Sequence, residues 1–147
     1  RQRQMCIRDS ITSIYEGTTQ LQVVAAIRHV TTGTYLNLIQ QYQTTEVKPE
    51  LQALKERLAA MTERYAKAVE EVGKVDDVAY GDFMARRLVE MAGCLVMAHL
   101  LMLDANRNDS FKRSAEVYAN LAQAEVTKHS DFIANFNPAE VAIYKVD

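Results

Sequence analysis

The most apolar stretch of the chain, Leu88 to Leu103, constrains the fold more than any other feature. Glu90 and His99 interrupt it, and from Ala92 onward it is apolar on nearly every side of a helix. The stretch covers 16 residues, whereas a helix needs about 20 to cross a bilayer. A helix that is apolar all round and too short for a membrane lies in the middle of a bundle. We therefore predict a core helix here and no membrane-spanning segment.

Three further segments carry apolar residues at the three- and four-residue spacing of an amphipathic helix. The first runs from Thr19 to Tyr42 with a weak middle near Gly33, and the second follows Pro49. The last has its apolar pattern at Phe111, Ala115, Tyr118, Leu121, Ala122, His129, Phe132, Ile133 and Phe136. Only 5 Gly and 2 Pro are present among 147 residues, too few for the turns of a many-stranded β protein. The sequence predicts an all-α fold, an antiparallel bundle of about four long helices.

Polar residues mark the ends of these segments. Pro49 suits the first helical position, where a missing N–H costs nothing. Asp76 or Asp77 is expected to cap the core helix, because a carboxylate at that position accepts from free backbone N–H groups. Asp109 or Ser110 is the expected cap of the last helix.

Composition excludes several classes of protein. The net charge of −2 removes the electrostatic basis for binding nucleic acid. The two cysteines, Cys6 and Cys94, are too few for a disulfide framework or a zinc site and fit a reducing, cytoplasmic compartment.

The histidines do not predict a metal site. His29, His99 and His129 stand one to a helix, and no Glu has a His three residues later, as di-iron bundles require. Glu125 shares a helix face with His129, but one such pair supplies too few ligands. We expect each histidine to be a packed or surface residue and predict no metal.

One segment is distinctive in its order of residues. The sequence from Ile11 to Gln22, Ile-Thr-Ser-Ile-Tyr-Glu-Gly-Thr-Thr-Gln-Leu-Gln, resembles the C-terminal active-site segment of the acyl-CoA dehydrogenases. The residues that follow, 23–29, look like the first turns of that family's final bundle helix. From about Thr45 onward the chain resembles the extra C-terminal helical domain of the longer members.

The resemblance implies a function and its residues. Glu16 corresponds to the catalytic base that removes the α-proton of an acyl-CoA thioester, and Gly17 lies at the substrate. Thr18, Thr19 and Gln20 would contact FAD. A role in fatty acid metabolism, electron-transferring flavoprotein as the acceptor and a homo-oligomer are implied in the same way.

The resemblance also divides the chain. Residues 1–10 lack a helical pattern and are interpreted as a non-native or mis-joined leader. Residues 11–44 would be the active-site loop and last helix of the dehydrogenase C-terminal domain, and residues 45–147 the additional helical domain. We expect a C-terminal part of a longer enzyme that is inactive by itself. The alternative is a non-catalytic helical bundle for oligomerisation or docking.

Overall fold

The computed structural model describes residues 19–144, and these residues contain helices and no strand. The predicted all-α fold is therefore confirmed. Three short 3-10 turns connect or follow the helices, at Pro49–Leu51, Asp109–Phe111 and Pro138–Tyr144. The helices are α1 (Thr19–Thr31), α2 (Thr34–Gln43), α3 (Gln52–Gly73), α4 (Val78–Arg107) and α5 (Lys112–Asn135).

Helix α4 occupies the middle of the bundle and packs against each of the other four helices. Its inward-facing large apolar side chains are almost fully enclosed, among them Met84, Met91, Leu95 and Met102. By length and composition α4 is also apolar enough to cross a membrane. Its contacts with four other helices explain that apolar character, as the sequence predicts for a core helix.

Helices α3 and α5 are amphipathic and cover two sides of α4. The buried residues of α3 recur at three- and four-residue steps, as at Leu54, Leu58 and Met61. Alanines dominate the buried face of α5, which brings its backbone close to its neighbours. Three residues of the predicted apolar pattern of this segment, Phe111, Leu121 and Phe132, are instead exposed.

The first predicted helical segment is two helices rather than one. Gly33 separates α1 from α2 and has the positive φ of 75° that L side chains rarely adopt. The hydroxyl of Thr32 donates to the Arg28 carbonyl at 2.8 Å, and such a bond competes with helix continuation. The local geometry of these residues turns the chain before α2 begins.

Two predicted helix caps have different outcomes. Asp77 caps α4, because its carboxylate accepts from the Ala79 backbone N–H at 2.9 Å. The prediction of Asp109 or Ser110 as the next cap is wrong. Asn108 instead caps the 3-10 turn that leads into α5, where its extended backbone lets the side chain accept from the Ser110 N–H at 3.0 Å, and α5 itself begins after Phe111 without a side-chain cap.

Asn106 joins the two connections at one end of the bundle. Its Oδ1 accepts from the Lys48 backbone N–H at 2.9 Å, and its Nδ2 donates to the Glu46 carbonyl at 3.1 Å. The Lys48 ammonium lies 2.7 Å from an Asp109 carboxylate oxygen. These contacts hold the segment before α3 against the turn between α4 and α5.

Replacing Gly33 by Ala should lower the free energy of unfolding by about 1 kcal/mol, because Cβ disfavours a positive φ. Gly81 provides the matched control, since it lies within α4 and an added Cβ there would meet open space. Gly81→Ala should raise stability by about 0.5–1 kcal/mol. Urea denaturation followed by circular dichroism measures both, and equal shifts would contradict the role given to Gly33.

Candidate functional site

The residues implied as catalytic lie at and before the start of α1. Glu16, Gly17 and Thr18 are outside the described residues. Thr19 and Gln20 are the first two residues of α1. The first turn of α1 contains no acidic residue, so nothing within it opposes an anion at the positive end of the helix.

Helix α1 is fixed to the bundle by one apolar stripe. Val23 and Val30 are buried, and Ile27 packs against the core between them. The spacing of four and three residues places all three on one face, which lies against α4. The bundle thereby sets the position at which α1 begins.

Two of the three histidines are a surface residue and a packed core residue, as the sequence predicts. His29 is exposed and meets the edge of Tyr35, with ring centroids 5.8 Å apart. His99 is fully buried in α4, where its Nδ1–H donates to the Leu95 carbonyl at 2.7 Å. Burial lowers the pKa of His99, and the bond to Leu95 offsets this only in part.

His129 on α5 lies next to two carboxylates, one of them on α4, and is the described residue whose surroundings most resemble those of a functional histidine. Its Nε2 lies 2.9 Å from a Glu90 carboxylate oxygen and 3.5 Å from one of Glu125. The Glu90 contact is close but lacks the alignment of a hydrogen bond. Burial lowers the pKa of His129, while the two carboxylates raise it by less.

The partnership of Glu90 with His129 could not be read from the sequence, although Glu90 does interrupt an apolar run. A single charge in such a run indicates that it has a partner or reaches solvent. Glu90 does both, because Arg86 Nε lies 2.8 Å from its carboxylate at the surface. Among the described residues, no three His, Cys, Asp or Glu side chains are arranged to hold a metal ion.

Arg87 is held in an aromatic cluster near the start of α4. Its guanidinium carbon lies 3.9 Å from the centroid of the Phe132 ring and 4.9 Å from that of Phe83. Its Nη1 donates to the Phe83 carbonyl at 3.0 Å, and Phe136 stacks on Phe132. The faces of these aromatic rings stabilise the positive charge of Arg87. Arg87 therefore links α4 to α5 and is not assigned a role in ligand binding.

Comparison with known proteins identifies the family. A family model described as "Acyl-CoA dehydrogenase C terminal" matches residues 31–141. The chain belongs to the acyl-CoA dehydrogenase family. The chain is also similar to the crystal structure of an acyl-CoA dehydrogenase family protein from Porphyromonas gingivalis. The two share 53% sequence identity with a TM-score of 0.73, over 78% of this chain and 99% of that one. No curated protein matches.

The buried histidines of this dehydrogenase domain should make its stability fall as the pH drops from about 7.5 to 5. The pKa values of His99 and His129 are both lowered in the folded chain. The unfolded chain therefore binds more protons near pH 6.5, so their contribution is present above that pH and lost below it, at up to about 1.4 kcal/mol per pH unit for each histidine.

Urea denaturation at half-unit pH steps measures this slope. His99→Gln and His129→Gln should each reduce it, whereas His29→Gln, at an exposed position, should leave it unchanged. The carboxylates with lowered pKa values, such as Glu70 and Asp109, titrate at lower pH and do not obscure the window. Constant stability between pH 7.5 and 5 would contradict the burial argument.

Proposed function

We propose that this chain is the C-terminal part of an FAD-dependent acyl-CoA dehydrogenase that oxidises the α,β bond of an acyl-CoA thioester in fatty acid metabolism. The observation that carries the proposal is the family match over residues 31–141. Eight residues, 23–30, lie between the active-site-like string from Ile11 to Gln22 and the start of this match.

Glu16 is proposed as the base. Removal of a proton α to a thioester carbonyl needs a carboxylate with a raised pKa, which dry and apolar surroundings provide. Ile14 and Tyr15 supply apolar neighbours on one side in the sequence. Gly17 lets the backbone come close to the acyl chain, because it has no Cβ. Glu16 would hold the abstracted proton on its carboxylate.

Thr18, Thr19 and Gln20 are proposed to bind FAD. The start of α1 at Thr19 fits this role, since the first turn of a helix has free N–H groups that suit a phosphate. When bound, FAD supplies the oxidising group that accepts the β-hydrogen with its electron pair. The contribution of α1 is to hold these residues at a fixed position on the bundle.

The remaining parts of the proposal concern the complete enzyme. Residues 11–44 would form the end of its C-terminal helical domain and residues 45–147 would add a further helical domain, with residues 1–10 as a non-native or mis-joined leader. Electron-transferring flavoprotein is the proposed acceptor, the assembly is a homo-oligomer, and the compartment is the cytoplasm. The isolated chain is proposed to be inactive, because one helix end offers too small a surface for FAD.

Glu16→Gln in the complete enzyme should lower the rate of dye-linked acyl-CoA oxidation by about 10²- to 10⁴-fold, the usual contribution of a general base. Bound flavin, measured by absorbance, should not change. Glu63→Gln is the matched control, because Glu63 is exposed on α3 and is given no role in the reaction. Near-normal turnover by Glu16→Gln would contradict the assignment of Glu16 as the catalytic base.

The isolated 147-residue chain should not bind FAD. Equilibrium dialysis against micromolar FAD, with the visible spectrum of the purified protein, tests this directly. A yellow protein with stoichiometric flavin would refute the expected inactivity of the chain. It would also weaken the alternative function, a non-catalytic module for oligomerisation or docking, which the exposed apolar residues of α4 and α5 favour.

A further inference from the structure

Helix α1 is attached to the bundle differently from the other helices around α4. Its contacts with α4 come from the apolar stripe of Val23, Ile27 and Val30. The hydroxyl group of Thr31 donates to carbonyl groups of α1 itself. Among the described side chains, none on α1 forms a hydrogen bond or an ion pair with α3, α4 or α5. Apolar packing on one face is therefore its described link to these three helices.

Helix α2 has polar as well as apolar links to the same core. Ile39 is fully buried, and the Gln43 Nε2 donates to the Thr62 hydroxyl group on α3 at 2.9 Å. The Tyr42 ring lies against His99 of α4, with ring centroids 6.4 Å apart. Polar contacts likewise join α3 to α5 and α4 to α5. Helices α2 to α5 are thus held together by contacts of both kinds.

The turn between α1 and α2 provides a pivot. Gly33 has a φ of 75°, and a Cβ added there would meet no atom within 4 Å. Without a Cβ, the backbone of glycine changes its dihedral angles more freely than that of any other residue. The described side-chain contacts across the turn are the exposed His29 against Tyr35 and the hydroxyl pair of Thr32 and Thr34 at 3.0 Å. These contacts lie at the surface and do not tie α1 to the core.

The family match divides the chain at the same place. It covers residues 31–141, so it begins at the last residue of α1 and contains α2, α3, α4 and α5. The unit that the family shares therefore excludes nearly all of α1, and its start coincides with the turn at Gly33.

Helix α1 also depends on the bundle for its own structure. It has 13 residues, and an isolated helix of that length is only marginally stable in water. Detachment of α1 breaks one apolar stripe, whereas opening α4 exposes the large side chains at the centre of the bundle. Regions with few buried contacts open at a lower free energy than the core. Detached α1 is therefore expected to lose its helical hydrogen bonds while the core keeps its own.

We propose that α1 is an arm hinged at Gly33, which detaches from α4 and unfolds while residues 34–144 stay packed. Docking of the arm would hold Thr19 and Gln20 at their position on the bundle, and detachment would release them. This consequence for the cofactor site rests on the proposed function, whereas the detachment itself does not.

Hydrogen exchange of the 147-residue chain, measured by mass spectrometry at pH 7, tests the hinge. The protection factors of amides in α1 should be at least about 100-fold lower than those in the middle of α4. Amides of α2 should be protected with α4, because the hinge lies between α1 and α2. Urea below the unfolding midpoint should reduce protection in α4 more steeply than in α1, since opening the core exposes more surface.

Two matched substitutions separate detachment of the arm from unfolding of the whole chain. Val30→Ala removes part of the stripe and should lower the protection of α1 about tenfold. Val126 is fully buried on α5, which packs against α3 and α4. Val126→Ala should lower the protection of α4 by a similar factor and leave that of α1 unchanged, because Val126 keeps its contacts when α1 alone opens.

Three outcomes would overturn the proposal. Equal protection of α1 and α4 would mean that α1 opens only when the whole chain unfolds. A loss of protection in α1 on Val126→Ala as large as that in α4 would mean the same. Exchange of α2 together with α1 would place the hinge elsewhere than Gly33. Unchanged turnover of the Glu16→Gln enzyme would instead contradict the proposed function and leave the hinge standing.

Discussion

The enclosure of α4 is the constraint on which the rest of the structure depends. A helix of 30 residues that is apolar on nearly every side from Ala92 to Leu103 cannot be left in water, because each large side chain contributes about 1.5–3 kcal/mol when it is buried. Helices α1, α2, α3 and α5 therefore surround it. Their own amphipathic character follows, since each has one face on α4 and one in solvent.

This arrangement also determines where polar groups can be placed. His99 is buried because it lies among the inward residues of α4, and this burial lowers its pKa, since no carboxylate of residues 19–144 pairs with it. Glu90 lies at the edge of the same helix, where it can meet both Arg86 and His129. The same principle positions the first described helix, because the apolar stripe from Val23 to Val30 fixes α1 on the bundle.

Local sequence was sufficient for most of the fold. Apolar spacing identified α3, α4 and α5, because each has one continuous stripe and a recognisable start such as Asp77. Local sequence did not predict the cap at Asn108, where Asp109 is an equally suitable residue type. The backbone direction decides which of the two side chains reaches the free N–H groups. The apolar spacing also predicted one helix where the structure has α1 and α2. Gly33 separates them because of its positive φ, which the sequence does not specify. The string from Ile11 to Gln22 was distinctive in its order of residues, but Glu16, Gly17 and Thr18 lie outside the described residues.

The sequence by itself determined the helical class, the central position of α4 and the family, because periodicity, composition and a distinctive string are properties of the chain alone. Tertiary structure decided which partners the polar residues found, such as Glu90 for His129 and Phe132 for Arg87. It also left Val117 and Leu121 exposed, although they are as apolar as the core. The physical reason is that burial and pairing depend on how helices that are far apart in sequence pack together. The residue pattern of one helix does not reveal how the neighbouring helix is rotated about its own axis.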